Sequence, residues 1–316
     1  MSFQISKYKF KSRGVLAPIL DYSTLPFRLL CKDYGASLTF TEMVHIKQVV
    51  PFEKDLSKIS SLDSCKDDKV TAVQLVGDFT DRKLTLKAIE VIDSLKDFDI
   101  INLNLGCPSG KIIAGNSGSC LIKDLSKVLP VIKEIKSVSN KPVTVKTRLG
   151  FYENEINIIS KKLISTGIDG LVVHARRAVD NYSVKAEVSF LKKLNKEISI
   201  PFIYNGDVSK NNLNLFDDFS AIMVAREALG NPYIFTQIDD YDLQKEIEEY
   251  DLEKRKKAFL DFLKIYKKHK IPFPKFKLIV VSFLKDFPKA SQLRDVVSKS
   301  KNEIELISVI KEELYL

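Results

Sequence analysis

The chain has 316 residues, 45% hydrophobic and 29% charged, with a formal net charge of +9. No apolar run approaches the roughly 18 residues a membrane span needs, and the basic start MSFQISKYKFKSRG lacks the apolar core of a secretory signal. Four cysteines, at 31, 65, 107 and 120, form no CxxC pair and join no zinc pattern with the three scattered histidines, so no metal is expected and the expected compartment is a reducing cytoplasm.

Short apolar or β-branched runs recur along the chain. In order they are VLAPIL (15–20), LTFTEMV (38–44), VTAVQLVG (70–77), IINLNLG (100–106), PVTVKTRL (142–149), GLVVHARR (170–177), PFIYNGDV (201–208) and AIMVAREA (221–228). Runs apolar on both faces, separated by amphipathic stretches such as 81–95 and 126–138, read as buried parallel strands in βα units. Pro130 predicts a helix start or a kink within the second of these stretches. Segment 45–68 has no clear period and predicts loop or short helix. Eight such strands fit a closed (β/α)8 TIM barrel, which takes about 250 residues. The competing doubly wound sheet lacks its G-x-G-x-x-G after the first strand.

Each run carries an unusual side chain near its C-terminal end. These are Pro18, Glu42 with Met43, Gln74, Asn104 with Cys107, Lys146 with Arg148, His174 with Arg176, Asn205 with Asp207, and Arg226. Active sites of such barrels are assembled from those strand ends. Gly206 in NGDV, together with Arg226 and the turn into a helix at Asn231-Pro232, suggests a phosphate site, with an ordinary turn glycine as the plain alternative. Lys146 and Arg148 alternate with apolar residues, so both can face the barrel mouth. A buried lysine there needs an anion or electron-rich acceptor, such as a flavin, or else an ion pair with Glu42 or Asp207. Cys107, between Gly106 and Pro108, opens a glycine-rich loop at the rim. A nucleophile would need a base beside it, whereas a general acid needs the neutral thiol, the main form of an ordinary cysteine at neutral pH. The residues favour a mobile proton donor; an inert thiol remains the alternative.

After about residue 240 the strand pattern stops and helical periodicity takes over, which predicts a barrel over 1–240 and a small helical domain over 241–316. Between Lys254 and Lys301 there are fifteen lysine or arginine residues against three acidic ones, while the rest of the chain is slightly acidic. Such a segment is the footprint of a polyanion, with a solvated lysine face as the alternative.

Taken together, APILDYSTLPFRLLCKDYGASLTFTEMV (17–44), QLVG (74–77), NLNLGCPSGKIIAGNSGSCLIKD (102–124), VKTRLG (145–150), VVHARRAVDNYS (172–183), IYNGDV (203–208) and MVAREALGNPYIF (223–235) resemble the tRNA-dihydrouridine synthase family. The resemblance implies an FMN-dependent barrel enzyme with a helical C-terminal domain, acting on tRNA as a monomer and re-reduced by NADPH or NADH. Cys107 would give a proton to carbon 5 of uracil while reduced flavin gives hydride to carbon 6. Asn104 and Arg176 would orient the substrate. FMN would contact Pro18, Ile19, Gln74, Lys146, His174, Asn205, Gly206, Asp207, Ala225 and Arg226. Ile19, Asn102 and Ala225 depart from the residues common at those places, where methionine, aspartate and glycine are usual. The basic segment would grip tRNA phosphates, with Lys275, Lys277 and Arg294 among the contacts. Two other classes share some of these features. A small-molecule FMN enzyme of the dihydroorotate dehydrogenase type would not need the basic segment, and a non-catalytic RNA-binding protein would not need Cys107 or Lys146.

Overall fold

A strand apolar on both faces is fully buried only where protein covers both, and a barrel wall provides that. The computed structural model describes residues 2–285, 287 and 289–314. It opens with an antiparallel hairpin, β1 (Phe3–Ile5) and β2 (Tyr8–Phe10). The eight apolar runs then form β3 (Gly14–Leu16), β4 (Leu38–His45), β5 (Thr71–Val76), β6 (Ile100–Leu105), β7 (Val143–Arg148), β8 (Gly170–His174), β9 (Phe202–Asn205) and β10 (Ala221–Val224). These pair in parallel and close in the order β10-β3-β4-β5-β6-β7-β8-β9.

The barrel interior holds Val15, Leu38, Phe40, Ala72, Ile100, Val172, Ile203, Ala221 and Met223, and the hairpin adds Phe3, Ile5 and Phe10 to this cluster. The hairpin was not foreseen. Its strands, FQI and YKF, are three residues long each, too short for a period to show.

A second apolar layer lies between the strands and the surrounding helices. The first of these are α1 (Leu25–Asp33), α2 (Ile46–Val49), α3 (Arg82–Ser94), α4 (Gly110–Ala114), α5 (Leu125–Val138), α6 (Ile156–Ile164), α7 (Val188–Glu197) and α8 (Ile234–Asp242). Helix α3 shows the logic. Asp81 accepts the Leu84 N–H as its cap, and Thr85, Ala88, Ile89 and Ile92 recur on the buried face. Helix α5 runs through Pro130 from Leu125. The missing N–H would have met only the first-turn carbonyl of Ser126, and the exposed ring leaves that carbonyl to solvent. Segment 45–68 holds α2 and two short 3-10 turns, Leu56–Lys58 and Ser60–Leu62.

Four more helices follow: α9 (Leu252–Lys268), α10 (Phe273–Phe283), α11 (Ala290–Lys299) and α12 (Glu303–Leu314). Phe259, Phe262, Tyr266, Phe276 and Phe283 form an aromatic stack at their centre. This core is continuous with the outer layer of the barrel. At the junction a Cβ on Gly230 (φ +70) would lie 2.0 Å from the Ser282 carbonyl oxygen, so only glycine fits there. The last residues of the final amphipathic segment, Tyr315 and Leu316, lie outside the described residues.

Candidate active site

The C-terminal ends of the strands open into one cavity of about 690 Å³. Pro18, Ile19, Gln74, Asn104, Cys107, Lys146, His174, Arg176, Asn205, Gly206, Asp207, Ala225 and Arg226 all line it. The ladder register explains this convergence. Asn104 lies opposite Lys146, Arg148 opposite His174, and His174 opposite Asn205 on adjacent strands. Side chains level with one another on a barrel wall point into the same layer.

A chain of carboxamides crosses the floor. Thr144 Oγ1 accepts from Asn102 Nδ2 at 2.9 Å, Asn102 Oδ1 accepts from Gln74 Nε2 at 2.7 Å, and Gln74 Oε1 accepts from Asn104 Nδ2 at 2.8 Å. Asn102 thus donates on one side and accepts on the other, which a carboxylate could not do. That explains how a neutral residue serves where aspartate is common. The chain ends on the cysteine loop, because Asn104 Oδ1 accepts the N–H groups of Gly106 at 3.0 Å and of Cys107 at 2.9 Å.

The loop is held from other sides as well. Arg148 Nε donates to the Gly106 carbonyl at 2.8 Å, and Ser119 N–H donates to the Cys107 carbonyl at 3.0 Å. Cys107, expected as a mobile donor at the rim, is a half-buried residue whose backbone N–H and carbonyl are both hydrogen-bonded. All four cysteines are free thiols. Cys120, in the same loop, contacts Asn116 and does not line the cavity.

Lys146 keeps some accessible surface toward the cavity, and its ammonium donates to Asn205 Oδ1 at 3.0 Å. The ion pair with Glu42 or Asp207 does not form, since Glu42 binds Lys275 and Asp207 binds Arg176 and Arg226. Burial, and secondarily the nearby Arg148 charge, pushes Lys146 down to about 7. His174 is held neutral by burial first and then by Lys146, Arg148, Arg176 and Arg226, all of which lower its pKa far below the ordinary value. Its Nε2 lies 3.3 Å from Arg176 Nη1; arginine can only donate, so Nδ1 carries the imidazole proton.

Arg176 is almost fully engaged within the protein. It donates to the carbonyls of Val184 and Tyr182 and to Asp207 Oδ2 at 2.5 Å. Arg226 reaches the other Asp207 oxygen at 3.2 Å and sits 4.3 Å from the Tyr182 ring centroid. Gly206 has φ +144, and a Cβ there would meet Ala186 at 2.9 Å. The sequence did not single out Tyr182 or Ser209, which also line the cavity. Tyr182 had only its place in the HARR-containing run as a signal.

A dihydrouridine synthase family model matches residues 15–314. The chain belongs to the dihydrouridine synthase family. A "probable tRNA-dihydrouridine synthase" of Rickettsia conorii is 32% identical over 75% of this chain and 72% of the relative. The "tRNA-dihydrouridine synthase B" of Pasteurella multocida is 32% identical over 73% and 70%, and that of Escherichia coli (strain K12) is 29% identical over 75% and 74%. Among solved structures, morphinone reductase in complex with tetrahydroNAD aligns with a TM-score of 0.53 at 11% identity, covering 81% of this chain and 93% of that one. The old yellow enzyme of Trypanosoma cruzi aligns at 0.53 and 10%, covering 80% and 94%. At such identities the likeness concerns the barrel fold.

A flavin fits this family member's cavity on the protein's own terms. Among the described residues the Lys146 ammonium has a neutral amide as its hydrogen-bond partner, and a glycine cradle lies beside Arg226. The Lys146 ammonium can also donate to the electron-rich edge of a flavin ring, and Arg226, which reaches Asp207 at 3.2 Å, carries further guanidinium N–H groups that a phosphate could accept from.

The structure does not bring Lys275, Lys277 or Arg294 into the cavity. Lys275 was expected on RNA, yet its ammonium donates to both Glu42 oxygens at 2.8 Å. Lys277 donates to the carbonyls of Ser298 and Ser300, closing the C-terminal end of α11. Arg294 is exposed, as are Lys267 and Lys268. Among the described residues no cluster of His, Cys, Asp and Glu could hold a metal, and no helix is long and apolar enough to cross a membrane.

Proposed function

We propose that this chain is a tRNA-dihydrouridine synthase, an oxidoreductase that reduces the 5,6 double bond of uridines in tRNA in the cytoplasm. The observation that supports this reading most is the thiol of Cys107 held on a pinned backbone in the same cavity as the anion-poor Lys146. FMN is the proposed cofactor and NADPH or NADH the proposed reductant. When bound, FMN supplies the hydride for carbon 6.

The chain's own residues supply the rest. Cys107 gives its Sγ proton to carbon 5, so that hydride and proton together saturate the double bond. Asn104 acts on the reaction by fixing the Gly106 and Cys107 amides. Gln74, Lys146, His174 and Asn205 hold the polar edge of the cofactor, with Pro18 and Ile19 as an apolar wall. The Gly206 and Ala225 backbone and Arg226 would hold the phosphate, with the Asp207 carboxylate orienting Arg226. Arg176 keeps Asp207 and the Tyr182 loop in place and so shapes the uracil pocket. The helical segment, through exposed cations such as Lys267, Lys268 and Arg294, grips the tRNA backbone, because a flavin cavity cannot alone hold a folded polyanion and the target base must leave its stack.

The test is mass mapping of tRNA from cells lacking the gene. At least one uridine should fail to gain two hydrogens, and wild-type protein should restore it where Cys107→Ala does not. An unchanged dihydrouridine map would overturn the reading.

A further inference from the structure

Glu42 is fully buried within β4, and three parts of the chain meet on its carboxylate. Lys275, in the first turn of α10, donates to both oxygens at 2.8 Å from a side chain only 18% exposed. The Asp21 N–H donates to Oε1 at 2.6 Å, and the Ser61 hydroxyl lies 3.5 Å from Oε2. Lys275 also approaches Asp21 Oδ1 at 3.9 Å. Asp21 has φ +65, a conformation that a non-glycine residue keeps only when its surroundings impose it. It directly follows Ala17, Pro18, Ile19 and Leu20, which form one wall of the cavity.

The aim of Glu42 comes from a bulge. The β4–β5 register shifts between Phe40 and Met43, so Met43 turns into the cavity while Glu42 is presented toward α10 and the Asp21 turn.

We infer that the Glu42–Lys275 pair is a positioning device: it couples the seating of the helical segment to the shape of the cavity wall at residues 17–21. Lys275 thereby acts through Glu42 and Asp21, without touching cofactor or RNA. Without Lys275 the buried carboxylate keeps one short backbone donor and one long hydroxyl contact. An uncompensated buried charge is strongly unfavourable, and the carboxylate relieves it by moving toward water with the Asp21 turn attached. The consequence for tRNA rests on the proposed function, because the segment that holds the backbone must deliver the uridine within about an ångström of its reacting position.

Hydrogen exchange on the protein alone tests the coupling. In Lys275→Met, exchange should quicken at least tenfold in both 17–24 and 272–284, and Lys275→Arg should return both segments to near wild type. Quickening confined to 272–284 would overturn the inference. The double variant Glu42→Gln/Lys275→Met carries no buried charge and guards against a single variant that does not fold. It should melt close to wild type yet raise KM for tRNA at least fivefold with kcat within about twofold. A wild-type KM in that variant would mark the pair as a plain structural contact. The exchange measurement involves neither flavin nor tRNA, so its failure is separate from a failure of the proposed function.

Discussion

Lys146→Met probes the electrostatic design of the cavity with one substitution. The folded protein holds Lys146 down to about 7, chiefly by burial, against an ordinary value of 10.5. Because the folded-state pKa is lowered, the unfolded chain binds more protons between those two values. Stability of the flavin-free protein therefore rises with pH across that window, by at most ~1.4 kcal/mol per pH unit. Cofactor binding has the opposite sign. An electron-rich ligand beside Lys146 favours the ammonium, so flavin affinity should fall as pH rises above about 7, by at most tenfold per unit. Methionine keeps the length and removes the charge, and should flatten both slopes. Denaturant titrations of the apoprotein and fluorimetric titrations with FMN, each at several pH values between about 7 and 9, measure the two. Wild-type and variant slopes that coincide would refute the reasoning, since titration of the ligand or of other groups is common to both proteins.

Cys107→Ala should still let NADPH reduce the bound flavin while its reoxidation by tRNA slows by about 10²–10⁴, the usual effect of losing a positioned acid; Cys120→Ala, outside the cavity, should keep a near-normal rate. Arg226→Ala should raise the FMN dissociation constant about tenfold, as expected for one lost hydrogen bond between charged groups, and equilibrium dialysis measures it. Neutralising Lys267, Lys268 and Arg294 together should weaken tRNA binding and flatten its log–log salt dependence by roughly 0.7 to 0.9 per lost phosphate contact; an unchanged slope in filter binding would place the RNA elsewhere.

The barrel was legible because strands buried on both faces give near-continuous apolar runs, and because each run is broken by polar residues at the end where the site forms. The same signal placed Gln74, Asn104, Lys146, His174 and Asn205 in one cavity. Other features depend on distances along the chain that no period records. Glu42 and Lys275 are 233 residues apart. The bulge that turns Met43 inward and Glu42 away leaves no mark in an alternating pattern. The carboxamide chain from Thr144 to Cys107 depends on which way each amide points, and that is fixed only once the strands are in register. Lysine counts marked the helical segment as basic, but could not say that Lys275 and Lys277 are bound internally.

The most direct test of the central claim is a single turnover under anaerobic conditions. The flavin-loaded protein is reduced to completion, freed of excess NADPH and mixed with tRNA transcribed without modifications. The flavin should reoxidise at a rate that depends on tRNA concentration, and digestion of the tRNA should yield one dihydrouridine per flavin oxidised. Flavin that stays reduced with tRNA present, or reoxidises without dihydrouridine forming, would contradict the account.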